Sequence, residues 1–162
     1  MNGLNAISLS VGLWVGLWCF ATLGYFEPHV MTWITFLTWG SFYAAGGGMS
    51  GLKKSIACAV TGALVSAAVV WLNGHVGGGV HGVGLVIFSV LLAVLGWVLC
   101  QISRVDLVSF IPGSFIGAAS YFGAGAPLDQ KLGWVIVSIL CGSIMGIISQ
   151  KMGQAMTAKV RV

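Results

Sequence analysis

Six apolar runs fill this chain almost from end to end, at residues 5–25, 29–45, 55–73, 83–100, 107–122 and 132–150, with short polar links between them. A helix needs about 20 apolar residues to cross the ~30 Å hydrocarbon core of a bilayer. Inside that core only helices and closed barrels satisfy their own backbone groups. The run lengths therefore predict an all-α integral membrane protein with six transmembrane helices, and make the lipid bilayer its first partner. Charged residues are 6% of the chain, against about 25% in a soluble domain. They sit mostly at the edges of the runs, so the net charge of +4 reads as an orientation signal, and no basic cluster with interleaved aromatics points to nucleic acid.

The second and fifth runs are the short ones, and both are interrupted. The second dissolves into Gly46-Gly47-Gly48 and Ser50-Gly51; the fifth carries Pro112-Gly113 near its start and Gly123 and Gly125 beyond its end. With six crossings and a cytoplasmic N-terminus, the inner segments hold Lys53, Lys54, Arg104, Lys151, Lys159 and Arg161, and the outer loops hold only Lys131. That bias follows the positive-inside rule and puts both termini in the cytoplasm. The first run lacks the basic n-region and small-residue cleavage site of a signal peptide, so it reads as a retained span.

The chain also aligns with itself. Val11-Gly12-Leu13 recurs 72 positions on as Val83-Gly84-Leu85, and Gly40-Ser41-Phe42 recurs 73 positions on as Gly113-Ser114-Phe115. Leu52 and Gly62 fall against Leu132 and Gly142 at a separation of 80, which implies extra residues between Gly123 and Gln130. The expected organisation is one membrane domain, 1–162, built from two three-helix repeats at 5–73 and 83–150. An odd number of crossings inverts the second copy, a layout common in channels and transporters. Interrupted helices at matching places in the two halves point to a solute pathway, because unwound backbone at membrane depth is tolerated only where protein or water satisfies it. Gly40, Ser41, Phe42, Pro112, Gly113, Ser114 and Phe115 are therefore the candidate pathway residues, with Phe42 and Phe115 as constriction rings or lipid-facing aromatics. Small residues four apart also let helices pack closely, and Gly12, Gly16, Gly117, Gly142 and Gly146 are expected in that role.

The missing chemistry narrows the function. No Asp or Glu falls in the middle of a run, whereas ion-coupled carriers usually keep an intramembrane carboxylate. Cys19, Cys58, Cys100 and Cys141 each lie alone in a different run and read as small hydrophobes. No phosphate loop, metal-protease helix or Ser/His/Asp set is present, so neither an enzyme nor a cofactor is expected. His29, His75 and His81 all fall on the outer side with Glu27 and Asp129. Histidine titrates near neutrality, which makes the three candidates for pH sensing beside the plainer reading of solvated loop residues. The spacing of His75 and His81 matches no tight metal motif, so no metal site is expected.

The tract Leu107-Val108-Ser109-Phe110-Ile111-Pro112-Gly113-Ser114-Phe115-Ile116-Gly117-Ala118, with Gly51-Leu52-Lys53, resembles a family of small bacterial inner-membrane proteins catalogued only as domain of unknown function 1097. The resemblance implies a bacterial cytoplasmic-membrane location and no particular substrate. The layout alone is similar to that of aquaporin and formate/nitrite channels, although this chain has no Asn-Pro-Ala pair and no histidine at the membrane midplane. The expected function is a channel or facilitator for a small neutral or weakly acidic solute, working as a homo-oligomer. The alternative is a non-transporting membrane scaffold or partner-binding subunit.

Overall fold

The computed structural model describes residues 2–158; Lys159 and Arg161, two of the inner basic residues, lie outside them. Among the described residues every regular element is helical: α1 Gly3–Ala21, α2 Thr32–Ala44, α3 Gly48–His75, α4 Gly82–Gln101, α5 Ile111–Gly123 and α6 Gln130–Ala158. A π-helical turn, Thr22–Phe26, extends α1, and two short 3₁₀ turns, Ile102–Arg104 and Asp106–Val108, join α4 to α5. The segments Gly3–Phe26, Gly48–His75, Gly82–Arg104 and Gln130–Thr157 are long and apolar enough to cross a membrane. Helices α2 and α5 have 13 residues each, a rise of about 20 Å, short of the ~30 Å hydrocarbon core. Pro112 does not interrupt α5. It stands in the first turn, where its missing N–H leaves no hydrogen bond unmade.

Each short helix rides parallel to a long one. Along α2, Met31 donates its N–H to the Ser138 hydroxyl, Phe42 lies on Gly146, and the N–H of Gly48 reaches Gln150, so contacts climb α2 and α6 in step. Along α5, Gly113 lies on Cys58, Gly117 on Ala59, and Tyr121 packs in the cluster that holds Ala63 and Ala67. The long helices α3 and α6 run antiparallel, with the Ser55 and Ser143 hydroxyls 3.4 Å apart where they cross. These four helices form the core. Helix α1 lies outside against α6, through Ser10 and Ile7, and α4 outside against α3, with Leu95 and Leu99 inward.

Two details tie the short helices to each other. Gly62 of α3 lies against the backbone carbonyl of Ser114, and Gly142 of α6 against that of Thr35, so closely that a methyl group at either would overlap it. Both short helices also end in the same Schellman turn. Gly47 and Gly46 donate to the carbonyls of Phe42 and Tyr43, and Ala126 and Gly125 to those of Tyr121 and Phe122. The turn needs a left-handed residue, supplied by Gly46 at φ +96° and Gly125 at φ +92°.

These matches set a register that differs from the one read in the sequence. Gly3 and Gly82, Thr32 and Ile111, and Ala44 and Gly123 lie 79 residues apart as helix boundaries. At that separation Ser41-Phe42 falls against Ser120-Tyr121, and the two Gly-Ser-Phe triplets occupy different turns of their helices. Likewise Val11-Gly12-Leu13 lies mid-helix in α1, whereas Val83-Gly84-Leu85 opens α4. The connection after α5, residues 124–129, is longer than the one after α2, residues 45–47.

Lys53, Lys54, Arg104 and Lys151 gather at one end of the bundle, where Lys54 pairs with Asp106 at 3.0 Å and donates to Ser109. Within one chain Gly12 and Gly16 make no close helix contact: both are exposed on α1, Gly12 over the space between α1 and α2, and a methyl group at either meets nothing. We expect Gly62→Ala and Gly142→Ala to lower stability by about 1–3 kcal/mol through overpacking, and Gly12→Ala and Gly16→Ala to stay within about 0.5 kcal/mol of the parent or above it. Equilibrium unfolding in mixed detergent micelles reads the difference.

Candidate functional site along the two short helices

The interior is polar without being charged. Among the described residues, every buried residue of polar or charged type is a serine or threonine. Helix α2 places Thr32, Thr35, Thr38 and Ser41 three residues apart, so that neighbours in the row adjoin while the row winds about 60° per step around the helix, and all four are buried. Each has a partner. Thr32 donates to the Thr22 hydroxyl and reaches Glu27 at 3.3 Å, and Thr35 accepts the Trp18 indole N–H at 2.8 Å. Thr38 returns its proton to the Ile34 carbonyl, and Ser41 accepts from Ser55 at 3.0 Å. Toward the basic end, Ser149 gathers the Trp39 indole N–H and the Tyr43 hydroxyl, while its carbonyl accepts from Ser10. A seam of satisfied hydroxyls thus runs along α2 from Glu27 to Ser149.

Helix α5 differs. The buried side-chain groups that make no hydrogen bond, among the described residues, are Asn73 at the end of α3 and three on α5: Ser114, Ser120 and Tyr121. Ser114 has the weakly polar Cys58 thiol beside it. Ser120 and Tyr121 are fully enclosed, each 0% exposed. Ser41, 79 residues before Ser120, is satisfied by Ser55, whereas no partner meets the Ser120 hydroxyl. Phe42, 79 residues before Tyr121, is as fully buried, against Gly146, with no hydroxyl.

A vestibule opens at the end away from the basic cluster. It holds about 340 Å³ and is walled by Glu27, Met31, Trp33, Gly123, Ala124 and Lys131. A larger groove of about 560 Å³ lies between α1 and α2 on the outer face, over Gly12 and Gly40, with an apolar lining.

The residues expected to line a pathway are therefore spread out. Gly40 faces the outer groove, while Ser41 and Phe42 are core residues of the α2 seam. Pro112 is exposed; Gly113 and Ser114 are buried against α3. Phe115 is 46% exposed on the outer surface, so the two phenylalanines do not form matched rings within one chain. Gly117, Gly142 and Gly146 lie in close helix contacts. The three histidines have separate surroundings: His29 stacks edge-on against Trp134, His75 binds the Trp71 carbonyl of its own helix, and His81 precedes α4 in an exposed loop. The seam residues Thr32, Thr35, Thr38, Ser55 and Ser149, and the pair Ser120-Tyr121, were not singled out by sequence reasoning. The three-residue spacing of hydroxyls on α2 was a legible signal for the first group.

Comparison with known proteins places these features in a family. The family described as "Protein of unknown function (DUF1097)" matches residues 8–154. The uncharacterized protein YahC of Escherichia coli strain K12 is 31% identical, covering 97% of this chain and 94% of its own length. The inner membrane protein YcdZ of the same strain is 30% identical, covering 98% of this chain and 91% of its own. YcdZ of Salmonella typhimurium is 29% identical, covering 94% and 89%. No solved structure matches the chain.

Removing the hub of the α2 seam leaves a buried indole N–H and a phenol without a partner. Ser149→Ala is expected to destabilise the protein by about 1–3 kcal/mol. Ser66→Ala, which deletes a hydroxyl bonded only to the Gly62 carbonyl of its own helix, is expected to change stability by less than about 1 kcal/mol. Unfolding by SDS titration distinguishes the two.

Proposed function

The chain belongs to the DUF1097 family of unknown function, and on that footing we propose that this membrane protein is a channel or facilitator for a small neutral or weakly acidic solute. Its relatives include proteins named for the inner membrane, which together with its several apolar helices supports a multi-pass inner-membrane location. The observation that carries the transport reading is the polar but uncharged interior beneath the vestibule. Hydroxyls and carbonyls suffice to conduct a small neutral solute, and coupling to an ion would call for a charge that the interior lacks. The path is passive and involves no covalent step.

The architecture of the proposal has three parts. First, the chain is two inverted three-helix repeats; the paired glycine contacts and the two Schellman turns support this, with α2 and α5 crossing by means of the non-helical residues that flank them. Second, the end that carries Lys53, Lys54, Arg104 and Lys151 faces the cytoplasm, with both termini. Third, the protein is a homo-oligomer, in which the mostly exposed faces of α1 and α4 meet neighbouring copies. A second reading, a non-transporting membrane subunit, is favoured by the apolar groove between α1 and α2.

Stopped-flow light scattering on proteoliposomes separates the readings. Urea, glycerol, formate and acetate are presented at external pH 5 and 7, beside empty vesicles. The channel reading expects at least tenfold excess permeability to one of these solutes, lost in Ala124→Trp, whose indole would fill the vestibule. Folded protein with no excess permeability to any of them would favour the non-transporting subunit.

A further inference from the structure

We propose that the Ser120 and Tyr121 hydroxyls form the binding site of the solute, and that the solute is a small uncharged molecule carrying both hydrogen-bond donors and acceptors. The proposal rests on the transport reading and adds to it a place and a chemical class.

Buried polar groups in proteins are nearly always paired, so each one that is not asks for an explanation. Here the unpaired ones are concentrated on one face-to-core helix and lie next to an opening. Gly123 and Ala124 wall the vestibule from α5, and Ser120 and Tyr121 are the next turn inward, about 5 Å along the helix axis. Met31 and Ala124 belong both to the vestibule wall and to the cluster that encloses Tyr121. Met31, which is unbranched and adaptable, thus stands between the vestibule and the packed surroundings of Tyr121.

Packing does not require these hydroxyls. Phe42, set against Tyr121 by the helix boundaries, is as fully buried with no hydroxyl. The α2 half satisfies Ser41 with Ser55, whereas on α5 the Ser120 hydroxyl makes no bond within the chain and is left to bond elsewhere. The satisfied half is a frame, and the unsatisfied half is where a ligand gains hydrogen bonds that the protein does not already make.

The chemistry of the groups selects the ligand. A serine or tyrosine hydroxyl both donates and accepts, so the pair suits a solute that does the same, such as an amide, a urea or a polyol. Among the described residues no charged side chain is buried to neutralise an ion. At the mouth, Glu27 and Lys131 line the same vestibule with opposite charges, so neither sign is favoured before a solute enters.

The test uses the full-length protein, with urea at a non-denaturing concentration as probe, and Tyr121→Phe and Ser120→Ala as variants. Both variants delete a hydroxyl that makes no bond within the chain, so both are expected to fold with unchanged or higher stability, in contrast to Ser149→Ala. Two readouts are taken: urea permeability of proteoliposomes, and the infrared C–O band of Tyr121, assigned by its loss in Tyr121→Phe. The proposal expects the Tyr121 band to shift when urea is added, and permeability to fall at least tenfold in each variant. A band shift without any permeability in the parent protein would keep the binding site and sink the transport reading. Permeability equal in parent and variants, with a band that urea leaves unmoved, would overturn the site and leave transport standing. No permeability and no shift would overturn both.

Discussion

A polar group in the interior of a membrane protein has no bulk water to fall back on, so it must find its partner in the chain or do without. The structure turns on how its two halves meet that constraint. On α2, Thr32, Thr35, Thr38 and Ser41 each close a hydrogen bond, and the Ser149 hub draws α1, α2 and α6 together through Ser10, Trp39 and Tyr43. On α5, Ser114, Ser120 and Tyr121 close none. An unmade bond of this kind costs about 1–3 kcal/mol, so three on one 13-residue helix are a sizeable local debt against a stability of about 5–15 kcal/mol typical of a whole domain.

What holds α5 in place despite that is backbone contact. Gly113 and Gly117 bring α5 against Cys58 and the Ala59 backbone of α3, and Gly62 receives the Ser114 carbonyl in return. Approach this close multiplies dispersion contacts, which are the main cohesive force between helices when lipid tails are as apolar as the side chains. The same device seats α2 on α6 through Gly142 and Gly146. A helix of 13 residues is marginal alone, and each short helix is held by lying along one more than twice its length. The two Schellman turns then reverse the chain within a few residues, which is why the connections after α2 and α5 can stay tight.

Much of this was legible in the sequence, and the failures have definite causes. The apolar runs located all six helices, because period and length suffice when lipid is the solvent; the ends moved where α3 and α6 continue past their apolar stretch, through Lys53 and Lys54 and through Lys151. Gly117, Gly142 and Gly146 were placed at helix contacts by their spacing alone. Gly12 and Gly16 have the same spacing and meet nothing within the chain, since spacing shows that a face is small but not what lies on it. The match of letters and the helix boundaries run at different separations. Gly-Ser-Phe at 40–42 and 113–115 lies 73 apart, whereas the boundaries of the short helices and the Gly46 and Gly125 turns lie 79 apart, which sets Ser41-Phe42 against Ser120-Tyr121. Which serine is left unpaired depends on neighbours distant in the sequence, and no string match reveals those.

The distribution of charge supports the same division of labour. The described acidic and basic side chains lie at the two ends of the bundle: Lys54 with Asp106 at one, Glu27 and Lys131 around the vestibule at the other. A charge moved to mid-membrane costs at least about 2.5 kcal/mol even on the most lenient scale, and a serine or tyrosine hydroxyl offsets only part of that. Among the described residues the interior therefore keeps hydroxyls and no charge. A buried hydroxyl is satisfied by a neighbouring carbonyl or takes up an indole N–H, as along α2, whereas a buried charge would need a counter-charge that this interior does not hold.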